Sequence, residues 1–117
     1  MTSWTRRAVL LACAVLAAAA FHAADRKPEK LLGLRADGDR GELAIEVWAS
    51  GCTEKAHFKV ERAGDQLTVF RLQRDSCKMM PQRTTITFTF AEVGLEPNQA
   101  FTVRNPFTSD PIAASVD

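Results

Sequence analysis

Three cysteines carry the clearest chemistry in this 117-residue chain. Cys13 lies in an apolar amino-terminal run, whereas Cys52 and Cys77 lie in the more polar remainder. If the first segment is removed on export, an even pair is left, which in an exported chain predicts a disulfide. The bridge would close a loop of about 26 residues and stabilise the fold by about 3–4 kcal/mol in the chain-entropy model. Metal ligation by two thiolates is the alternative, but metal sites usually use four ligands at short local spacings.

Two adjacent methionines follow the second cysteine, in the loop 75–83. Both cannot point inward from an extended backbone, and exposed methionine is common at binding surfaces because it is adaptable. The disulfide would hold this loop beside the loop 51–56 as a pre-ordered edge, which lowers the entropy cost of binding. The candidate partner-binding residues are Lys55, Lys78, Met79, Met80 and Arg83. The alternative is that one methionine fills the end of the core and the other has no role.

Other chemistry finds less support in the residues. Imidazole and thioether ligands suit copper(I), but His57, Met79 and Met80 are not spaced to chelate from one strand face, so we predict no metal and no cofactor. Neither Gly-x-Ser-x-Gly nor His-Glu-x-x-His is present, and we predict that the protein is not an enzyme. Three segments look like motif fragments to which no function can be attached: Gly51-Cys-Thr53, Asp75-Ser-Cys77 and Asn105-Pro-Phe107.

The amino-terminal segment has the order of a secretory signal peptide of the bacterial type. Arg6 and Arg7 precede the apolar run from Ala8 to Phe21, and the first acid is Asp25. We predict a signal peptide over residues 1–20, cleaved between 20 and 24, and hence a periplasmic or secreted protein without a transmembrane segment. The general secretory route is favoured over the twin-arginine route, and over a lipoprotein in which Cys13 is lipidated. A retained anchor helix is the alternative to cleavage.

Charge excludes one class of partner. The chain has 15 Lys and Arg against 14 Asp and Glu, and loss of Arg6 and Arg7 leaves a mature net charge of −1. A near-neutral chain has no electrostatic footprint for nucleic acid. The residue pattern does not indicate an oligomeric state.

Period-two alternation of apolar residues organises the remainder into short strands. We predict a flexible leader over 21–30, a β domain over 31–107 and a loose carboxyl-terminal tail over 108–117. The predicted strands are 31–35, 42–50, 57–62, 66–74, 84–90 and 101–104, with a single helical turn at 91–95. Strands of this length joined by tight turns favour a small antiparallel sandwich or barrel, in a meander-like order. A meander brings the segments that hold Cys52 and Cys77 to the same edge of the sheet, in agreement with the disulfide.

Trp48 lies on the strand face opposite the main apolar set, and Phe70 and Leu72 could join it in an apolar patch. The interpretation we favour is a second core layer, roofed by the amino-terminal strand or by Phe101 and Phe107, because a small domain needs its large apolar residues inside. The alternative is an exposed aromatic patch for a partner.

The resulting hypothesis is a non-enzymatic binding module of the cell envelope, acting on an unknown protein or envelope component through the loops 51–56 and 75–83. Its predicted size, disulfide and β content resemble those of small exported lysozyme or protease inhibitors, in architecture alone. Inhibition is therefore one version of the hypothesis. The alternatives are a structural or accessory envelope protein and a periplasmic copper-handling protein.

Overall fold

The structure, a computed structural model, describes residues 27–116. The predicted signal peptide, its cleavage site and most of the predicted leader lie outside the described residues. The described part contains six strands, one 3₁₀ turn and one short α-helix. They are β1 (Gly33–Asp37), β2 (Glu42–Ala49), the 3₁₀ turn (Lys55–His57), β3 (Phe58–Ala63), β4 (Gln66–Arg71), β5 (Gln82–Thr89), β6 (Thr102–Val103) and α1 (Pro111–Ser115).

The strands form two three-stranded sheets, in the orders β1-β2-β5 and β3-β4-β6. All pairs are antiparallel except β4 with β6, which run parallel. The mostly β, sandwich-like class is therefore confirmed, and within residues 27–116 the sheets do not close into a barrel. The meander order is wrong, because β2 pairs with β5 instead of β3. β2 and β5 are each eight residues long and pair over their whole length, from Glu42 opposite Thr89 to Ala49 opposite Gln82.

The core lies between the inner faces of the two sheets. Alternate residues of β2 and β5 point inward, whereas Thr85, Thr87 and Thr89 are exposed on the other face of β5. Each large apolar side chain buried in this way contributes about 1.5–3 kcal/mol. The buried cluster consists of Leu31, Leu43, Ile45, Val47, Phe58, Leu67, Val69, Ile86, Phe88, Phe90, Val93 and Leu95.

A two-residue turn, Gly64 and Asp65, joins β3 to β4. Gly64 has a φ of 63°, a left-handed conformation that glycine adopts without a Cβ penalty. Glycine at the first central position is typical of a tight hairpin turn of this kind. The turn fixes the register in which Ala63 faces Gln66.

The amino-terminal part of the domain differs from the prediction. Leu31 is buried in the main core and bridges to Phe107, whereas Leu32 is buried in a second cluster. The chain thus crosses from one sheet to the other at these two residues, and β1 begins only at Gly33. Upstream, the predicted flexible leader is already fixed at Glu29, whose backbone N–H donates to the carbonyl of Val69 at 2.9 Å.

The carboxyl-terminal part also differs. The predicted loose tail contains α1, which packs against β2 and buries Ala114. Asp110 caps this helix by accepting from the N–H of Ile112 at 3.0 Å, and Pro111 occupies the first turn, where a missing N–H costs nothing. Residues 91–95, predicted as the helical turn, form a hydrogen-bonded turn instead, which Gly94 ends with a φ of 78°.

Candidate functional site

A disulfide joins the two loops that the sequence singled out. Cys52 follows β2 and Cys77 lies before β5, with their Cα atoms 5.7 Å apart. This arrangement confirms the predicted bridge. Since β2 and β5 are neighbours, the sulfurs link segments that strand pairing already brings close together. A disulfide fits a protein that works outside the reducing cytoplasm.

A buried carboxylate ties the same loops together a second time. Asp75 is 6% exposed, and its Oδ2 accepts from the N–H groups of Ser50 at 2.7 Å and Cys52 at 3.0 Å. The same oxygen accepts from the Thr53 hydroxyl at 2.7 Å, while Oδ1 accepts from the N–H of Cys77 at 3.0 Å. Hydrogen bonds to a charged acceptor are stronger than those between neutral groups. We call these five residues, with the disulfide, the Asp75 clasp.

Two opposing effects set the pKa of Asp75. Burial works to raise the pKa, because a carboxylate loses hydration in the interior. The Thr53 hydroxyl and the three backbone N–H donors outweigh burial, and together they hold the pKa well below its usual range. The group is therefore ionised at neutral pH, as its all-donor surroundings require.

The Asp75 clasp also explains two of the motif fragments. Gly51-Cys-Thr53 and Asp75-Ser-Cys77 supply three of its four donors, its acceptor and its disulfide, so their residue types have a structural purpose. Within residues 27–116, Cys52, Asp75 and Cys77 bring potential metal-ligand atoms within 4.8 Å of one another. With the sulfurs bonded to each other, no thiolate is present to bind a metal, and the carboxylate oxygens are already occupied by donors.

The two candidate methionines are exposed. Met79 has 57% and Met80 70% of its surface accessible, so neither fills the end of the core. The N–H of Met79 donates to the carbonyl of Ser50 at 3.1 Å, which extends the contact between the loops. A Cβ added at Gly51 would lie 3.0 Å from the Met79 sulfur. The missing side chain at Gly51 therefore lets Met79 lie against the loop 51–56.

The three candidate cations have different surroundings. Lys55 forms an ion pair with Glu92 at 2.8 Å, and its Nζ lies 5.1 Å from the centre of the Phe88 ring. The hydrogen bond from Lys55, with one from the Thr89 N–H, lowers the pKa of Glu92 to about 2. Lys78 is exposed and makes no ion pair within the described part of the chain.

Arg83 is the third of these cations. It pairs with Glu46 at 2.5 Å and donates to the carbonyl of Leu32 at 3.0 Å. Arg83 and Lys55 are thus both neutralised by acids of the same domain. The predicted basic rim around the methionines is correspondingly weaker than the sequence suggests.

A shallow pocket of about 210 Å³ lies beside Met79. Polar and small side chains from both loops and from the beginning of β5 surround it. The lining residues are Ala49, Gly51, Thr53, Met79, Gln82, Arg83 and Thr84. The pocket places a soft apolar side chain next to hydroxyl, amide and guanidinium groups.

The structure does not bring together the predicted apolar patch of Trp48, Phe70 and Leu72. Trp48 is 3% exposed and belongs to a small core cluster with Leu32 and Ala114. Phe70 is buried outside this cluster, and Leu72 is 54% exposed because β4 ends at Arg71. Trp48 is thus a second core layer, roofed partly by the amino-terminal segment and partly by α1. Phe101 packs on the main core instead, and Phe107 is exposed.

Sequence reasoning missed a buried cation beside Trp48. The Arg71 guanidinium lies 4.4 Å from the centre of the Trp48 ring and 4.6 Å from that of Phe58. It forms a buried ion pair with Glu29 and donates to the carbonyl of Trp48 at 2.7 Å. A further bond to the Thr53 hydroxyl at 3.2 Å links it to the Asp75 clasp. The sequence carried no signal for this role, because the arginine stands at the end of an ordinary strand.

Asn105, in the third motif fragment, is a second buried polar residue that links separate segments of the chain. Its side-chain oxygen accepts from the N–H of Val69 at 2.9 Å. Its amide nitrogen donates to the carbonyls of Glu29 and Val69, both at 2.8 Å. The side chain thereby joins the carboxyl-terminal segment to β4 and to the segment that holds Glu29.

Comparison of the chain with protein-family models, curated protein sequences and solved structures finds no match. Within residues 27–116, no helix has the length and apolar character needed to cross a bilayer.

Proposed function

We propose that this protein is an exported, non-enzymatic binding module of the cell envelope. It binds a protein or an envelope component through the surface of the loops 51–56 and 75–83. Residues 1–20, with paired arginines followed by an apolar run and small residues, support export by a cleaved signal peptide. The disulfide agrees with an oxidising compartment such as the periplasm or the exterior.

One observation carries the proposal: Met79 and Met80 are exposed on a loop that is fixed in place. Their side chains are 57% and 70% accessible, while the backbone around them is tied by the disulfide, the Asp75 carboxylate and the bond from Met79 to Ser50. When a partner covers large apolar groups that are exposed to water, the removal of their surface from water makes the free energy of binding more favourable. Since the loops are already ordered, binding loses little further entropy.

The test is a binding comparison with a Met79→Ser, Met80→Ser double variant. Envelope extract of the producing organism is passed over immobilised protein, and each retained partner is then titrated against the wild type and the variant. We expect the double variant to bind at least about tenfold more weakly, because burial of even one large apolar side chain is worth about 1.5–3 kcal/mol. The matched control is Ile112→Ser, Val116→Ser, which removes two side chains of similar exposure (50% and 59%) near α1.

The control variant should bind like the wild type. If the methionine double variant retains every partner at unchanged affinity, the loops are not the binding surface. Loss of binding in both variants would equally count against the proposal, because it would indicate a response to surface polarity in general.

A further inference from the structure

β5 leaves one of its sides unpaired. Its hydrogen-bonded neighbour is β2, and among residues 27–116 no strand pairs with the opposite side. The free side of such a strand presents a row of backbone donors and acceptors that can template another strand. This open side of β5 is named the β5 edge.

The register shows which residues face the β5 edge. In an antiparallel ladder, each second residue directs its N–H and C=O away from the paired neighbour. The N–H of Phe90 donates to Gly41 on the β2 side, whereas the N–H of Thr89 is turned away and donates to the Glu92 carboxylate at 2.9 Å. By the same alternation, Arg83, Thr85 and Thr87 direct their backbone groups to the β5 edge, and Glu92 caps its far end.

Between Arg83 and the Glu92 cap, the β5 edge lacks the charges that guard the other sheet edges in the described part of the chain. β1 contains Arg35 and Asp37, β3 contains Lys59, Glu61 and Arg62, and β6 is only two residues long. Charged side chains and short strands are the usual protection against pairing between edges. From Thr84 to Thr89, β5 reads Thr-Thr-Ile-Thr-Phe-Thr, a run of strongly β-forming residues without a charge.

The charge of Arg83 is directed away from the β5 edge. Arg83 reaches across the outer face of the sheet, where it pairs with Glu46 on β2 and donates to the carbonyl of Leu32 beyond it. Its charge is therefore neutralised on the side opposite the free backbone groups. A second β5 can approach without like-charge repulsion from this residue.

We infer that the β5 edge pairs with the β5 edge of a second copy of this chain, antiparallel about a twofold axis. Because Glu92 caps the N–H of Thr89, the outward residues that remain are Arg83, Thr85 and Thr87. All three find a partner when Thr85 faces Thr85 of the second copy, because Thr87 of each copy then faces Arg83 of the other. A twofold contact uses the same patch twice, and threonine facing threonine is a favourable cross-strand pair.

One further property favours a second copy, and another sets the strength of the contact. The predicted mature net charge of −1 leaves little long-range repulsion between copies. A single pair of short strands buries less than the roughly 1,200 Å² of a standard stable interface. The dimer is therefore expected to be weak, with dissociation between about 10 µM and 1 mM. This inference does not depend on the loop surface proposed above.

The first test is sedimentation of the purified wild-type protein over that concentration range, beside Thr85→Pro and Thr85→Val. Proline removes the outward N–H of residue 85 and leaves the bonds to β2 in place, as edge strands tolerate. We expect concentration-dependent dimers for the wild type and Thr85→Val, and monomers for Thr85→Pro. A wild type that stays monomeric to 1 mM overturns the inference, and a strand of another protein then becomes the candidate partner of the edge. A Thr85→Pro protein that is folded and still dimeric also overturns the inference.

A second test is independent of the proline variant. Facing residues in a hydrogen-bonded antiparallel pair have Cα atoms about 5.5 Å apart, within the range that a disulfide spans. Thr85→Cys should therefore form a reducible covalent dimer on mild oxidation. Thr87→Cys should not, because the two copies of residue 87 would be roughly 13 Å apart along the strands. Equal cross-linking of both variants, or of Thr87→Cys alone, contradicts the pairing.

Discussion

Asp75→Asn is expected to lower the free energy of unfolding at pH 7 by about 3 kcal/mol or more, because hydrogen bonds to a charged group contribute about 1.5–3 kcal/mol each. Four donors converge on this carboxylate. An asparagine offers one acceptor oxygen, and its NH₂ group would face N–H groups that have no other acceptor. Urea denaturation with the disulfide intact measures the loss.

The loss should depend on pH in a defined direction. The folded protein holds the pKa of Asp75 below the value of about 3.9 expected for the unfolded chain. The stabilisation is therefore complete above about pH 5 and declines as the pH falls below 4 towards the folded pKa. The gap between wild type and Asp75→Asn should narrow over that range.

Asp39→Asn is the matched control, since Asp39 lies exposed in the turn before β2. We expect its effect to stay within about 0.5 kcal/mol, as for most surface substitutions. An Asp75→Asn protein as stable as the wild type at pH 7 would contradict the Asp75 clasp. A gap that does not change down to pH 2 would contradict the stated direction of the pKa.

Arg71→Met is expected to cost about 3–5 kcal/mol, because it removes one partner of a buried ion pair, the guanidinium that pairs with the Glu29 carboxylate. The side chains of Arg71 and Glu29 are only 8% and 10% exposed. The variant also loses the bond to the Trp48 carbonyl and the cation–π contacts of the guanidinium with the Trp48 and Phe58 rings. Urea denaturation measures the cost, and Trp48 fluorescence reports the change around the ring.

A double-mutant cycle separates the ion pair from the packing. Glu29→Gln in the Arg71→Met background removes the buried negative charge that Arg71 no longer balances, so we expect it to recover about 1–2 kcal/mol of the loss. Arg74→Met is the control, because Arg74 is exposed and its guanidinium lies 5.2 Å from the same Trp48 ring. We expect it to cost less than about 1 kcal/mol. An Arg71→Met protein no less stable than Arg74→Met would refute the structural role of the buried pair.

Local alternation of residues was enough to predict most strands. β5 shows why: Ile86 and Phe88 lie on the face that packs on the core, and the threonines between them lie on the face exposed to water. The disulfide was equally predictable, because it follows from the cysteine count once residues 1–20 are interpreted as a cleaved signal peptide. Strand partners were not, because alternation defines the faces of a strand but does not say which neighbour it pairs with.

The residues that tie the site together were mostly hidden from the sequence. Asp75 stood in a motif fragment without an assigned role, because three of its four donors lie more than 20 positions earlier in the chain. Asn105 and Arg71 act over similar or greater separations. The short helix α1 had a local signal in Asp110-Pro111, a capping residue followed by proline. The small, polar residues of the tail favoured a loose segment instead.

Binding through the proposed surface requires that the loops 51–56 and 75–83 are held as one rigid unit. Native-state hydrogen exchange of the Ser50, Cys52 and Cys77 amides, which donate to Asp75, tests it most directly. We expect these three amides to exchange as slowly as those between β2 and β5, since opening them requires the Asp75 clasp to come apart. Fast exchange at these positions while the amides of β2 stay protected would show that the loops move independently, and would contradict a pre-ordered binding surface.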